Sequence, residues 1–367
     1  MDQTRSRERL GILCAGMFVV MASMRDVYFA AMFQGYSPLH VAVIAFTLCT
    51  VVFLGVALIR RQSLYELRPW LWEVVGINVT SAIGWIAYFY ALRNLEPSLA
   101  QMLWAGIGPL SVMAIEASGI GLAKPAAVGP AERLCHLGIL GALVLGTLVV
   151  AAGLSGAPTT AQARPMLGAL LALLSGASIS INVLLCKRLN ERRVGPAMIL
   201  TVRFVGVVIV AAVLAVVFGD TVIGGWSPGT LGIVAAAAIL LLVAPIYVNQ
   251  MGIALAPAMT VRGVMALGPV LVFLLQLYEG RLRTSGYSLA VIVLYSIFAI
   301  LAAVARQWPG CSVRLRRFAW RSAITLPLTG RVGERSEPGW GGVLVRVGYV
   351  AEPPSPPLPL PAGQAPR

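Results

Sequence analysis

From residue 10 to residue 305 the chain alternates between apolar stretches of about twenty residues and short polar or Pro/Gly-rich joints. A hydrocarbon layer about 30 Å thick needs roughly twenty apolar residues per helical crossing. The pattern predicts ten helices, over residues 10–33, 38–59, 72–92, 97–117, 137–154, 166–186, 196–218, 229–251, 258–279 and 284–305. Pro38, Pro97 and Pro196 fall at predicted helix starts, where a missing N–H costs least. Gly219-Asp220 and Gly225–Gly229 mark a turn between the seventh and eighth helices. The fold class expected is all-α, a polytopic membrane bundle.

The second five stretches repeat the first five. Pro97 and Pro109 stand twelve residues apart with Gly108 before the second, and Pro257 and Pro269 stand twelve apart with Gly268 before the second. Pro38 to Phe46 and Pro196 to Phe204 are each eight apart. An odd number of helices per repeat gives the two halves opposite orientations, so the expectation is two inverted five-helix repeats with a site between them at mid-depth. The organisation expected is a cytoplasmic segment 1–9, a first repeat 10–154, a second repeat 155–305 and a tail 306–367. In that tail RLRRFAWR, at 314–321, suits an inner membrane surface, and PPSPPLPLP, at 353–361, suits polyproline II. Disorder with weak lipid attraction is the plainer reading of the tail.

Charge refines this picture. The chain is 58% hydrophobic and 11% charged, with a formal charge of +14 and a mean hydropathy of +0.85. Such a charge could signal nucleic acid, but the basic residues sit in short loops and in the tail, where they set orientation. No nucleic-acid partner is expected. With the N-terminus inside, the cytoplasmic segments hold twelve Lys and Arg and the opposite side four, namely Arg93, Arg164, Arg281 and Arg283. Both termini are therefore expected in the cytoplasm, with the 9–10 connection as the weakest fit.

Polar residues at membrane depth are the candidate chemistry, because each charge there costs about 2.5–3.5 kcal/mol on insertion scales. Arg25 lies too deep in the first helix to reach the inner headgroups, and Asp26 adjoins it. Neighbouring side chains on a helix diverge by about 100°, so no self-contained pair is expected. The functional reading places Arg25 in a cavity and gives Asp26 a partner on another helix or a coupling proton; the structural reading is an ion pair that locks the bundle. Arg262, Pro269 and Gln276 share a face at seven-residue spacing, facing a cavity unless Arg262 snorkels to the headgroups. Arg203 invites the same two readings. Asn78, Ser81, Trp85 and Tyr88 line one face of the third helix, and Gln101, Trp104 and Gly108 one face of the fourth. The eighth helix adds Tyr247 and Gln250. Such faces suit water or solute, with interhelical hydrogen bonds and an aromatic belt at the membrane surface as alternatives.

Enzymatic chemistry is not expected. Gly153-Leu154-Ser155-Gly156 fits the GxSG pattern of intramembrane serine proteases, but His40 and His136 are the only histidines and neither follows the serine. The five cysteines show no metal-ligand spacing or disulfide framework, no phosphate loop or HExxH is present, and no cleavable leader is evident. No metal or cofactor is expected.

The segments YALRNLEPSLAQMLWAGIGPL, GPAMILTVRF and IALAPAMTVRGVMALGPVL resemble the drug/metabolite transporter superfamily of the EamA type over residues 10–305. The resemblance implies two inverted five-helix repeats and a carrier function, but is nearly silent about substrate. One departure stands out. That family often pairs Arg-Phe in both the second and seventh helices; here Arg203-Phe204 keeps the pair and Ala45-Phe46 does not. The expectation is a secondary transporter of a bacterial inner membrane, an exporter of a small polar metabolite. Arg25, Arg262 and Arg203 against one deep acid favour a carboxylate-bearing substrate, such as an amino acid or related amino-carboxylate or a metallophore. Drug export, metabolite import, or a non-transporting sensor or assembly partner are the alternatives. The expected partners are the lipid bilayer, the small-molecule substrate and a coupling proton, and a homodimer is compatible with the sequence.

Overall fold

A computed structural model describes residues 2–118, 129–156, 163–218, 227–256, 258–280 and 284–307; the rest of the 306–367 tail, with the readings made on it, lies outside the described residues. Every regular element among them is helical: α1 (Asp2–Met32), α2 (Pro38–Ile59), α3 (Leu71–Asn94), α4 (Pro97–Ala117), α5 (Pro130–Ala151), α6 (Pro165–Glu191), α7 (Pro196–Arg203), α8 (Val205–Val217), α9 (Pro228–Ala238), α10 (Ala244–Leu255), α11 (Ala258–Met265), α12 (Gly268–Glu279) and α13 (Gly286–Gln307). A short 3₁₀ turn, Leu64–Trp70, precedes α3, and a π-helical segment, Ile239–Val243, joins α9 to α10.

Proline starts these helices more often than the three expected positions suggest. Pro38, Pro97, Pro130, Pro165, Pro196 and Pro228 all occupy the first turn, where their rings fix φ and their missing N–H groups leave no bond unmade. Ser37 and Ser227 add side-chain caps. Pro130 moves the start of α5 seven residues ahead of the expected position. Gly153, at φ 68°, turns the chain into the left-handed region just after Ala151 and ends α5 early.

Nine helical stretches among the described residues are long and apolar enough to cross a membrane, with α7–α8 forming one and α9–α10 another. The expected helix over 258–279 departs from that rule. It breaks into α11 and α12 at Ala266-Leu267, and its longest apolar stretch is the shorter Gly263–Glu279. Pro269, at the start of α12, cannot donate to Met265. The chain there tightens into bonds from Ala266 and Leu267 N–H to Gly263 and Val264 carbonyls. The matching Pro109 sits inside an unbroken α4. The same Gly-Pro pair is thus absorbed in one half and breaks the helix in the other.

Packing relates the halves. α3 packs along α6 as α1 packs along α10, and α4 packs on α6 as α11 and α12 pack on α1. α2 meets α7, α4 meets α12 and α5 meets α13 across the bundle. Large apolar side chains also point outward, including Leu13, Met17, Val20 and Met24 along α1 and Leu134, Leu137, Val144 and Leu148 along α5. They recur at three- and four-residue intervals, as on faces turned to lipid. Inside, Phe46 stacks on Phe204 (ring centroids 5.0 Å apart) and on Phe89 (5.8 Å), and it meets Trp85 at 5.1 Å.

Small residues permit the closest crossings, as expected where lipid removes the usual hydrophobic drive between helices. Gly84 of α3 faces Ile179 of α6, and its carbonyl accepts from Ser175 Oγ at 2.6 Å. A side chain at Gly176 would collide with the Trp104 carbonyl and Ile107 of α4. Gly176→Val is therefore expected to destabilise the protein by about 1–3 kcal/mol, as overpacking does, seen as a lower melting temperature in detergent. A melting temperature equal to wild type would show that α4 and α6 do not need this close approach.

Candidate functional site

Seven helices converge on a cavity of about 510 Å³ of empty space, its open mouth included. Phe18 and Arg25 come from α1, Gly84, Trp85 and Tyr88 from α3, and Trp104 from α4. The opposite wall is Ser175, Ile179 and Val183 of α6, Arg203 of α7, Ile246 and Asn249 of α10, and Met265 of α11. Arg25 lies seven residues, roughly 10 Å, from the end of α1, and Arg203 the same distance past the start of the α7–α8 crossing, at the other end of the bundle. The cavity is therefore near mid-depth, and both halves of the sequence build it.

Arg25 and Asp26 are almost fully buried and bond to each other, with Nε–Oδ1 at 2.8 Å and Nη2–Oδ1 at 2.7 Å. The sequence argument against a self-contained pair is corrected here. Their Cβ atoms diverge, but the long arginine stem swings its guanidinium back to the neighbouring carboxylate. Tyr88 of α3 donates its hydroxyl to Asp26 Oδ2 at 2.6 Å, so the carboxylate also ties α1 to α3. The guanidinium carbon lies 5.2 Å from the Trp85 ring and 5.8 Å from the Tyr88 ring, in cation–π range. Trp104 packs on Tyr88 at 5.6 Å. Arg25 Nη1 and Trp85 Nε1 are buried donors with no partner among the described residues.

Arg203 differs from Arg25. Its Nε donates to Ser81 Oγ at 3.1 Å, and Phe204 lies beneath its guanidinium. Ser81 is itself held by Asn182 Nδ2 at 2.9 Å. No carboxylate stands within ion-pair distance of Arg203 among the described residues. Its side chain is 4% exposed, so it does not snorkel to the membrane surface. The cavity thus holds one neutralised arginine and one whose charge lacks an acidic partner.

The other expected site residues divide. Trp85, Tyr88 and Trp104 join Arg25 and Arg203 at the cavity. Asn78 does not line it: its Oδ1 accepts from Gly206 N at 2.7 Å and satisfies a backbone group where the chain breaks between α7 and α8. Gln101 is buried against Gly268, and Gln276 Oε1 accepts from Ser98 N at 3.1 Å; neither lines the cavity. Tyr247 stacks on Phe53 and accepts from Arg60 Nη2 at 3.2 Å in an exposed contact, as a membrane-surface tyrosine would. Gln250 is buried away from the cavity and its neighbour Asn249 lines it. The Arg262 side chain lies outside the described residues.

Sequence reasoning passed over Asn249 and Ser175, and also Glu96 at the start of α4. The isolated polar residues on α6 and α10 offered no periodic signal, and an acid before a helix start reads as solvated. No group of three or more His, Cys, Asp or Glu able to hold a metal occurs among the described residues.

The paired network makes a graded prediction. Asp26→Asn leaves Arg25 as a buried charge without its counter-ion and is expected to cost about 3–5 kcal/mol. Tyr88→Phe keeps the ring and removes one bond to a charged group, at a cost of about 1.5–3 kcal/mol. Thermal melts of the two variants in detergent should rank in that order, and equal, wild-type melts would show that the pair does not hold α1 to α3.

Comparison with known proteins agrees with this architecture. Residues 9–118 match the EamA-like transporter family. None of the curated proteins matches the chain. A solved structure described only as a crystal structure of a protein is 21% identical, with 83% of this chain and 99% of that chain covered at a TM-score of 0.56. At that identity it shows a shared fold alone. The membrane-length helices among the described residues make this chain a multi-pass membrane protein, and its first third, α1–α4, is similar to EamA-like transporters.

Proposed function

We propose that the protein is a secondary carrier that exports a small polar metabolite bearing a carboxylate across a bacterial inner membrane. The observation that carries this reading is Arg203, a buried arginine in a mid-depth cavity with no acidic partner among the described residues. A guanidinium in such surroundings is costly unless an anion meets it. A carboxylate suits its planar fork. Arg25 supplies an unpartnered Nη1 and Trp85 an unpartnered Nε1 as further donors. Asn249 Oδ1, a buried acceptor without a partner, suits an amino or hydroxyl group on the same molecule. This donor and acceptor set favours amino-carboxylates over apolar drugs.

The pairing of α2 with α7, α4 with α12 and α5 with α13, each five stretches apart in the expected ten-helix order, supports two inverted repeats that rock about the cavity. The excess of Lys and Arg in the loops between α2 and α3 and between α6 and α7 supports cytoplasmic termini. Export is the direction proposed, on the family likeness alone.

Flux of labelled amino acids and amino-carboxylates into proteoliposomes tests the reading. Arg203→Gln is expected to lower carboxylate flux at least about tenfold while the melting temperature stays close to wild type, and Arg203→Lys to recover part of it, because a point charge replaces a two-pronged donor. Undiminished flux in Arg203→Gln would remove the carboxylate assignment, and no flux of any solute by the wild type would favour a sensor or assembly role. Reporter fusions should place residues 188–193 in the cytoplasm and residues 220–228 on the other side; both on one side would end the inverted-repeat reading.

A further inference from the structure

Away from the cavity, Glu96 is buried with no counter-ion among the described residues. Glu96, between α3 and α4, is 2% exposed. Its carboxylate gathers the helix ends on the side of the bundle where α1, α3, α5 and α12 finish. Oε2 accepts from Ser288 Oγ of α13 at 2.7 Å and from Gly156 N, just past α5, at 3.0 Å. Oε1 accepts from Ser98 Oγ of α4 at 3.1 Å. The backbone N of Ser98 in turn holds Gln276 of α12, and Ser285 Oγ, ahead of α13, donates to the Leu154 carbonyl beyond α5. α4, α5, α12 and α13 are thereby closed over one carboxyl group about 12 Å along α4 from Trp104.

Among the described residues its surroundings are neutral. Ser98, Gly156 and Ser288 are the groups that touch it. Of the charged residues at the adjoining helix ends, Arg93 of α3 and Arg164 before α6 make no ion pair with it, and Glu279 of α12 is exposed and of like charge. Arg281 and Arg283 lie outside the described residues. Asp26, the acid expected to carry a proton, already has Arg25 beside it. Glu96 has no such partner among the described residues, and an unpaired buried carboxylate is costly while its acid form is not.

We propose that Glu96 is a proton-binding site coupled to closure of this end of the bundle. The proposal rests on the carrier reading above for the movement it is coupled to, but not on the substrate. As the helix ends close, a carboxylate oxygen takes a proton from water on that side, forming the O–H bond that removes the buried charge. The acid O–H then donates to a serine hydroxyl, which can reverse its role, while Gly156 N–H still finds an acceptor. When the ends part, water enters, the O–H bond breaks and the proton leaves to bulk water.

The sign follows from burial. Desolvation pushes the Glu96 carboxyl above its ordinary value, and the bonds from Ser288, Gly156 and Ser98 pull it back only in part. The closed end therefore binds a proton more tightly than an open, hydrated end would. Closure is favoured at low pH and is lost as pH rises through the closed-state value.

Spin labels on Leu154→Cys and Tyr287→Cys, in otherwise cysteine-free full-length protein in lipid, report the separation of α5 from α13. The short distance is expected to dominate near pH 4 and to give way to a longer one by about pH 9. Glu96→Gln, which fixes a neutral side chain, is expected to hold the short distance throughout, with at least about tenfold less of the open form at the alkaline end. An infrared carbonyl band from a protonated carboxyl should fade over the same pH range in wild-type protein and move in frequency in Glu96→Asp. This second measurement decides the matter if Glu96→Gln fails to fold. Opening of Glu96→Gln with the wild-type midpoint, no pH response in the wild type, or opening with no titrating carboxyl band would each overturn the proposal. None of these readouts needs substrate, so a protein that moves no carboxylate could still pass them, and their failure leaves the Arg203 flux test standing.

Discussion

Arg25 can remain charged in the middle of an apolar bundle because Asp26 neutralises it and Tyr88 holds Asp26 from the next helix. An isolated charge at that depth would be expelled to the membrane surface or would draw water inward. The pair fixes α1 against α3, sets the guanidinium over the Trp85 ring and forms one wall of the cavity. Much of the remaining polar structure answers the same constraint, that lipid offers no hydrogen bonds. Asn78 serves the break between α7 and α8, and Asn182 serves the Ile77 carbonyl, Thr80 and Ser81.

Three buried charged groups illustrate three solutions. Arg25 is paired within the protein. Arg203, held by Ser81 and facing the cavity, has no acid near it among the described residues. Glu96 sits among neutral donors at the end of the bundle. In our reading the first is structural, the second waits for an anionic solute and the third exchanges a proton with water. On that reading, the two groups without an ion-pair partner among the described residues sit at the cavity and at the helix ends, where a carrier would respond to what arrives.

Irregular helix geometry is concentrated around the same cavity. The break at Phe204 follows Arg203, the π segment precedes Asn249, and the break at Ala266-Leu267 follows Met265. All three lie in the second half, whereas α1, α3 and α4 on the facing wall run unbroken. Discontinuous helices at mid-depth are tolerated where protein or a cavity surrounds the freed backbone groups. They are also the places where a helix bends at least cost.

The sequence determined the helical membrane fold, because about twenty apolar residues leave little alternative to a crossing, and prolines mark the joints. It also pointed to Arg25, Arg203, Trp85, Tyr88 and Trp104, since polar and aromatic residues at such depth need a reason to be there. The tertiary structure alone decided how those residues are used. Rotamer reach let Arg25 turn back to its own neighbour, which Cβ directions argued against. Packing of α10 turned Asn249 rather than Gln250 to the cavity, a rotation that the residues of α10 alone do not specify. Gly108-Pro109 and Gly268-Pro269 look alike in sequence, yet one is absorbed in α4 and the other separates α11 from α12, because the surrounding packing differs. Glu96 next to a helix start has the appearance of a solvated acid, and its burial comes from Gly156 and Ser288, which lie 60 and 192 residues away in the chain. Contacts over that separation have no local signature, so no reading of neighbouring residues could have found them.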